Sequence, residues 1–259
     1  MVRMSAVPTS EHVVLVTGGG RGLGAHIVLA AAAQGARVVI NYRRSGDAAR
    51  ALADKIGDKA FVVGADVTDR DAVRDMVAAA GEHFGTPVTA VVNNALPDYS
   101  FNGEHRSHAD DLSWGELDAQ FSGVVGGALN VIQAALPGMR SAGGGRIVNI
   151  GTNLVQNPVV PYHDYTAAKA ALLALTRTMS HDLGPDGITV NMVSGGLLRT
   201  TDASAATPSG VFDAIADSTP LRSVTTPEEF ADAVLFFLSP WSRAVTGQNL
   251  VVDGGLVKN

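Results

Sequence analysis

Short apolar segments alternate with longer, helix-forming segments along nearly the whole chain. The apolar segments are rich in Val, Ile and Leu with few polar positions, which is typical of strands buried on both faces of a sheet. Strands are predicted at residues 13–16, 36–41, 60–64, 88–93, 145–150, 188–193 and 249–252. Helices are predicted at residues 22–34, 47–56, 114–139, 162–183 and 227–238, with one more that begins after Asp69 as its N-cap.

Strands that alternate with helices of crossover length predict a parallel sheet with helices on both faces. The expected fold class is α/β, a doubly wound parallel sheet. No repeat, low-complexity tract or linker divides the 259 residues, so we expect one domain with a flexible N-terminus at residues 1–11. Residues 195–220 are expected to form a substrate lid, because ligands of such sheets bind beyond the carboxyl ends of the strands.

Composition excludes several functional classes. The net charge of −6 argues against nucleic-acid binding, since nucleic-acid phosphates favour concentrated Lys and Arg. The absence of Cys excludes disulfides, thiol catalysis and Cys-ligated metal sites, and it favours a cytoplasmic location. Residues 1–11 lack the apolar core of a signal peptide, and no charge-free apolar run approaches about 18 residues, so no membrane segment is expected.

A glycine-rich turn, TGGGRGLG at residues 17–24, follows the first predicted strand. Glycines let the backbone approach phosphate groups, and the N-terminus of the next helix adds free N–H groups and partial positive charge. The position of the turn in a βαβ unit favours a dinucleotide pyrophosphate over the alternative, a tight turn without a ligand. The candidate contacts are Gly18, Gly20, Arg21, Gly22, Leu23 and Gly24.

The end of the second predicted strand indicates which nicotinamide cofactor binds. NAD binders usually carry an Asp or Glu here that bonds the ribose 2′-hydroxyl, but this chain has NYRR at residues 41–44. Guanidinium groups suit a 2′-phosphate, and Arg21 is expected to face the same point. NADPH is therefore favoured over NADH, with candidate contacts at Asn41, Tyr42 and Arg43. The alternative is a solvated basic loop.

Tyr165 and Lys169 lie four residues apart in a predicted helix, so their side chains share one face, one turn apart. A nearby ammonium group favours the phenolate, so Lys169 is expected to lower the pKa of Tyr165 from about 10 toward the working range. A Tyr tuned in this way can protonate a carbonyl oxygen while hydride reaches the carbon. The pair is therefore predicted to be a proton donor and the residue that tunes it.

Four motifs together resemble those of the short-chain dehydrogenase/reductase family. They are the glycine turn, NNA at 93–95, the Tyr165/Lys169 pair and VDGG at 252–255. The resemblance runs nearly end to end. It is nearest to the 3-oxoacyl-(acyl-carrier-protein) reductases, through segments such as QAALP at 133–137 and GITVN at 187–191. It implies a Rossmann fold and reduction of a carbonyl, such as a 3-oxoacyl thioester linked to a carrier protein or CoA. It also implies a homotetramer or homodimer packed through the long helices.

The resemblance further implies roles for individual residues. Asp66 and Val67 would contact the adenine, and Asn93 the ribose region. Thr152, thirteen residues before Tyr165, occupies the place of the usual Ser; its hydroxyl can still bond the substrate oxygen, while its methyl group narrows the pocket. The remaining implied cofactor contacts are Ala95, Tyr165, Lys169, Gly196 and Leu198, of which Lys169 would bond the nicotinamide ribose.

One departure from the family's pattern concerns the relay of protons to the Tyr/Lys pair. The relay Asn of the family aligns with Val124, which cannot bond the water that links the Lys to solvent. In an alternative register the relay position falls at Gln120, the nearest amide in the same predicted helix. Asn153 and His163 are candidate substitutes, each with a loop role as the alternative.

Two other departures touch the substrate side of the site. Leu96 stands where the family keeps a Gly, and Gly195-Gly196 replaces the usual Pro-Gly. They favour a specialised member, so a ketone or imine reductase of secondary metabolism is an alternative to the 3-oxoacyl reductase. An alternative of another class is a non-catalytic NADP(H)-binding protein, which Val124 favours and the intact Tyr/Lys pair argues against.

The loop after the fourth predicted strand holds further candidates. Tyr99, Phe101 and Trp114 are expected either to line a substrate entrance or to anchor the loop. A solvated loop is favoured over a metal site at Glu104, His105, His108, Asp110 and Asp111, since loop spacing alone does not bring ligands together. His163 and Asp164 either touch the substrate or lie at the surface.

Overall fold

The computed structural model describes residues 7–97, 99, 101, 106–201, 204–205 and 207–258. Within these residues, seven strands form one sheet in which every neighbouring pair is parallel. The strands are β1 (Val13–Val16), β2 (Arg37–Tyr42), β3 (Ala60–Gly64), β4 (Ala90–Asn93), β5 (Gly145–Thr152), β6 (Ile188–Gly195) and β7 (Asn249–Val252). Their order, β3-β2-β1-β4-β5-β6-β7, confirms the predicted doubly wound α/β fold.

Helices cover both faces of this sheet. They are α1 (Gly22–Ala33), α2 (Gly46–Ile56), α3 (Arg70–Phe84), α4 (Trp114–Gln120), α5 (Gly127–Ser141), α6 (His163–Leu183), α7 (Ser209–Ser218) and α8 (Pro227–Leu238). Asp69 caps α3 as predicted, since its Oδ1 accepts hydrogen bonds from the backbone N–H groups of Asp71 and Ala72 at 3.0 Å each.

The helix predicted at 114–139 is not uniform. A π-helical turn, Phe121–Gly126, joins α4 to α5. Such turns close their hydrogen bonds one residue later than an α-helix and often occur at functional sites. The combined helix Trp114–Ser141 is long and apolar enough to cross a membrane by composition, but 44% of its most apolar window is buried inside the fold. This burial is typical of a helix that packs in the core of a fold.

The core consists of two apolar layers, one on each face of the sheet. On one face α1 and α8 pack together through residues such as Ile27, Val28 and Phe230. On the other face α3 and α5 contribute Met76 and Ile132. Each such side chain stabilises the fold by about 1.5–3 kcal/mol when fully buried. The sheet is thus a rigid base for the loops at its carboxyl edge.

The predicted lid is partly helical. Helix α7 lies within it, with Phe212 buried and the Arg199 guanidinium 5.2 Å from the centre of the Phe212 ring. Asp202, Ala203 and Ala206 lie outside the described residues. In the N-terminal segment predicted to be flexible, Thr9–Glu11 forms a single 3₁₀ turn, and residues 1–6 lie outside the described part.

Candidate active site

The glycine turn connects β1 to α1 through backbone that only glycine adopts easily. Gly18 and Gly22 have φ angles of +62° and +52°. A Cβ atom on Gly24 would collide with the carbonyl oxygen of Gly18, so the helix packs directly on the turn. A Cβ atom on Gly20 would lie 3.0 Å from Ala49. The turn is therefore tight, and it brings bare backbone to the carboxyl edge of the sheet.

The side chain of Asn41 belongs to this turn. Its Oδ1 accepts a hydrogen bond from Gly18 N at 3.2 Å, and its Nδ2 donates to Ala65 O at 3.1 Å. Only 1% of Asn41 is exposed. Asn41 therefore supports the glycine turn from β2, and its predicted contact with the cofactor stays a prediction.

The first turn of α1 is suited to hold an anion. Its N-cap residue, Arg21, makes no side-chain capping hydrogen bond, so the N–H groups that begin α1 at Gly22 and Leu23 are not capped by it. The helix end also carries partial positive charge. This donor set fits the pyrophosphate of a dinucleotide.

Arg43 and Asp66 meet at the ends of β2 and β3. Arg43 Nη1 lies 3.6 Å from Asp66 Oδ2, and each side chain is 37% exposed. Hydrogen bonds from the backbone N–H and hydroxyl of Thr68, together with Arg43, hold the pKa of Asp66 below its ordinary value despite partial burial. The pair offers one cationic and one anionic group side by side, which suits a phosphorylated ribose and an adenine amino group. The Tyr42 ring lies against Gly64.

Tyr165, Thr152 and Lys169 converge at the carboxyl end of β5. Lys169 Nζ donates to Ile150 O at 2.6 Å and lies 5.7 Å from the centre of the Tyr165 ring. All three side chains are buried. Burial raises the pKa of Tyr165 to about 12, although a hydrogen bond with Thr152 opposes the shift. Burial also lowers the pKa of Lys169 to about 8.

The expected lowering of the Tyr165 pKa by Lys169 is wrong for this structure. Desolvation is the dominant effect on both groups, because each is enclosed and each is penalised in its charged form. The ammonium group is directed to the carbonyl of Ile150 instead of the phenol. Tyr165 is therefore held in its protonated form at neutral pH.

A cavity of about 10 Å³ lies beside Val124 and Lys169. Its size corresponds to a single water molecule. Asn93 also lines it; Asn93 Nδ2 donates to Asn149 Oδ1 at 2.8 Å, while Asn93 Oδ1 is buried without a hydrogen-bond partner among the described residues. Val67 and Ala95 complete part of the lining.

The alternatives to Val124 are placed elsewhere. Gln120 is buried, but it does not line the small cavity. Asn153 Nδ2 donates to Asp253 Oδ2 at 2.9 Å, so this amide holds the C-terminal segment in place. His163 is exposed at the start of α6. Val124 is thus the residue of this set that faces Lys169.

Aromatic rings cover Tyr165. The ring centres of Tyr99 and Phe101 lie 5.2 Å and 5.3 Å from that of Tyr165, and Tyr162 packs edge-on against both. Tyr99 and Phe101 thus do contact the site, whereas Trp114 is 77% exposed at the start of α4. Flat apolar surfaces of this kind pack well against planar or extended apolar groups.

Arg106 and Asp164 anchor this aromatic cover, and Arg106 was missed by the sequence analysis. The two side chains form an ion pair with Asp164 buried. Tyr99 Oη donates to the same carboxylate at 3.2 Å, and the Arg106 guanidinium lies 4.2 Å from the Tyr99 ring centre. Asp164 is therefore a buried anchor of this cover, and the alternative that it lies at the surface is wrong, whereas a contact with the substrate stays a prediction.

The remaining predicted residues frame the site. Ala95 N donates to Thr17 Oγ1 at 2.9 Å, and Leu96 packs against the cluster that contains Val124. Leu198 packs on the α1/α8 core layer, and a Cβ atom on Gly196 would lie 2.9 Å from Asn153 Nδ2. Among the described residues, no group of three His, Asp or Glu side chains is placed to hold a metal; Glu104 and His105 lie outside them.

The chain matches known proteins over nearly its full length. A family model described as Enoyl-(Acyl carrier protein) reductase matches residues 18–257. A versicolorin reductase of Emericella nidulans is 33% identical over 258 residues, with 94% of each chain covered. A 3-oxoacyl-(acyl-carrier-protein) reductase of Staphylococcus epidermidis is 32% identical over 248 residues, which cover 93% of this chain and 97% of the relative. The crystal structure of a short chain dehydrogenase from Burkholderia cenocepacia J2315 in complex with NADP has a TM-score of 0.84 at 33% identity, with 97% and 99% covered.

Proposed function

Because the chain belongs to the short-chain dehydrogenase/reductase family, we propose that this oxidoreductase uses NADPH to reduce a carbonyl group, with Tyr165 as the proton donor. The observation that carries the proposal is the convergence of Tyr165, Thr152 and Lys169 at the carboxyl end of β5. A protein that only stored a dinucleotide would not need a buried phenol and a buried amine side by side, since each is costly to bury.

The cofactor would be held by the glycine turn and the residues at the ends of β2 and β3. The N-terminus of α1 would bind the pyrophosphate. Arg21 and Arg43 would bind the 2′-phosphate, and Asp66 would contact the adenine. When bound, the reduced nicotinamide supplies the hydride. The NADP in the related Burkholderia cenocepacia structure agrees with this choice over NADH.

Tyr165 is suited to donate a proton because burial keeps its phenol protonated, with the pKa raised to about 12. Its hydroxyl would donate to the carbonyl oxygen of the substrate, which Thr152 would also hold. Lys169, with a pKa of about 8, remains largely protonated at neutral pH. We propose that a water molecule occupies the small cavity lined by Lys169 and Asn93. It would pass protons to Lys169 in place of the relay Asn, whose position Val124 occupies.

Two classes of substrate fit this site. The resemblance to the 3-oxoacyl reductases favours a 3-oxoacyl thioester on a carrier protein or CoA. The aromatic cover formed by Tyr99, Phe101 and Tyr162 favours a second candidate, a planar or extended apolar ketone of secondary metabolism. We further propose that the protein is cytoplasmic and forms a homodimer or homotetramer. Light scattering of the purified protein measures its mass and so tests the proposed assembly.

One assay separates these candidates. Loss of NADPH absorbance is followed with 3-oxoacyl thioesters, simple aliphatic ketones and polycyclic aromatic ketones at equal concentration. A higher kcat/KM for the thioesters supports the first candidate, and a higher value for the aromatic ketones supports the second. Tight NADPH binding without turnover of any carbonyl would overturn the proposed reductase and favour a binding protein.

A further inference from the structure

A second cavity lies at the amino edge of the sheet, the edge opposite to Tyr165 and the glycine turn. Its volume is about 260 Å³. It is lined by residues that precede or begin several strands, among them His12, Arg37, Thr89 and Arg146. In a parallel sheet all strands begin at the same edge, so this cavity is separate from the candidate active site.

Arg146 carries a buried charge without a compensating carboxylate in the described part of the chain. Only 3% of the residue is exposed. Its Nη1 donates to Gly145 O at 3.0 Å, whereas Nε and Nη2 are buried and have no partner among the described residues. A guanidinium group stays protonated in proteins, so its burial is unfavourable unless an anion pairs with it.

The two unpaired nitrogens define what would fit. Nε and Nη2 lie on one edge of the planar guanidinium and donate in parallel directions. This is the arrangement that binds both oxygens of a carboxylate or phosphate at once. The cavity borders this residue, and its volume leaves room for a small molecule around the bound group.

His12 adds a third donor to the cavity. Its Nδ1 lies 2.9 Å from Thr89 Oγ1, and that oxygen accepts a hydrogen bond from Val13 N at 3.3 Å. In the tautomer in which the Thr89 hydroxyl donates to Nδ1, the ring hydrogen lies on Nε2, and the proposed site uses this tautomer. His12 Nε2 is buried and unpartnered among the described residues. Burial, together with Arg146, lowers the pKa of His12 to about 4, so the ring is a neutral donor.

The other charged groups of the lining lie nearer to solvent. Arg37 donates from Nη1 to Thr86 Oγ1 at 2.8 Å and from Nη2 to Glu11 O at 3.2 Å. The Glu11 side chain is exposed, so its carboxylate is in water. Two residues that line the cavity, Arg146 and His12, thus carry buried nitrogens without partners among the described residues, which is the chemistry of an anion site.

We propose that this cavity binds a small oxyanion, a carboxylate or phosphate group held side-on by Nε and Nη2 of Arg146 and by Nε2 of His12. The site is independent of the proposed reductase activity, since it shares no residue with the glycine turn or with the Tyr165 cluster. A ligand bound there acts as the missing counter-ion of Arg146 and stabilises the fold.

The test measures the melting temperature of the protein saturated with NADP+, which keeps added anions out of the cofactor site. Sodium phosphate and sodium acetate are titrated separately, each against sodium chloride at equal ionic strength. At a hundredfold excess over Kd we expect a rise on the order of 5 °C beyond the chloride control. A response to phosphate alone, to acetate alone or to both identifies the form of oxyanion, and each supports the proposal.

Variants decide whether the response comes from this cavity. Arg146→Met should lose it, whereas Arg140→Gln, which removes an exposed Arg paired with Asp186 at 2.7 Å, should keep it. If Arg146→Met does not fold, His12→Phe provides the same readout and should weaken the apparent Kd about tenfold, the value of one lost hydrogen bond. No response in the unmodified protein, or an equal response in the cavity variant used, overturns the proposal.

Discussion

The guanidinium of Arg106 and the carboxylate of Asp164 form an ion pair one residue away from Tyr165, and this pair fastens the loop after β4 onto the Tyr165 ring. Tyr99 takes part in both contacts, since it donates to Asp164 and stacks on Arg106. Because Asp164 is buried, removing its charge leaves Arg106 without its counter-charge. The covering of the site thus depends on two residues 58 positions apart.

Asp164→Asn should loosen this cover while Tyr165 stays in place. We expect kcat/KM for the carbonyl substrate to fall on the order of 100-fold, because small losses of positioning are costly in catalysis. NADPH binding should change little. Steady-state kinetics and fluorescence titration of NADPH provide the two measurements. Asp182→Asn, on an exposed position of the same helix α6, is the matched control, and equal effects of both variants would contradict the anchoring role.

Tyr165→Phe should remove the proton donor and leave the ring packing intact. General acid catalysis contributes about 10²- to 10⁴-fold, so we expect a loss in kcat of at least that order with NADPH still bound. Tyr162→Phe removes a neighbouring phenol from the same aromatic cover and should retain most activity. Turnover by Tyr165→Phe at the unmodified rate would refute the assignment of the donor.

Arg21→Ala combined with Arg43→Ala should weaken NADPH binding far more than NADH binding. A hydrogen bond to a charged group contributes about 1.5–3 kcal/mol, which corresponds to roughly 10- to 100-fold in Kd. The measurement is the ratio of Kd for the two cofactors. Arg74→Ala removes an Arg paired with Asp71 on α3 and serves as the control. Equal losses for NADPH and NADH would show that neither Arg reads the 2′-phosphate.

Val124→Asn should introduce an amide beside Lys169. This amide would line the small cavity near Asn93 Oδ1, which has no hydrogen-bond partner among the described residues. We expect the pH profile of kcat to shift while KM for the substrate stays within about twofold, since the change concerns proton supply and not positioning. Val124→Thr, which matches the shape of Val without an amide, is the control. An unchanged pH profile in Val124→Asn would remove the relay interpretation.

His12 should make the fold sensitive to acid. Its pKa is lowered from 6.5 to about 4 in the folded protein, so the unfolded chain binds the extra proton between these values. The free energy of unfolding should therefore decrease as the pH falls from 6.5 to 4, by a total of about 3 kcal/mol from this group. Urea unfolding of His12→Phe across this range measures the share of His12, and His181→Gln, at an exposed position of α6, is the control. The same pH slope in both variants would contradict it.

The fold was predictable because its signals are local. Runs such as Val13–Val16 and the Asp69 cap identify elements without any knowledge of distant contacts. The Tyr165/Lys169 spacing was also visible, but the pKa of Tyr165 was predicted in the wrong direction. Spacing along a helix reveals neighbours, whereas desolvation depends on everything that encloses a group.

Long-range contacts account for what the sequence analysis missed. Nothing near Arg106 in the sequence indicates that it pairs with Asp164, and nothing near Arg146 indicates that it has no carboxylate partner among the residues that the structure describes. Asn41 was predicted to contact the cofactor from its place at the end of the second strand, and the sequence did not reveal that its amide also accepts a hydrogen bond from Gly18 N in the glycine turn.

The π-helical turn at Phe121–Gly126 has a consequence for the gene. A π-helical turn accommodates one residue more than the α-helix that it interrupts, so the loss of one codon in this turn would restore regular α-helical hydrogen bonding and leave α4 and α5 in nearly their present orientation. The contact of α4 with α6 would then persist. The residues inside the turn would shift instead, so a single in-frame deletion is expected to alter the small cavity that Val124 lines more than it alters the packing of the two helices.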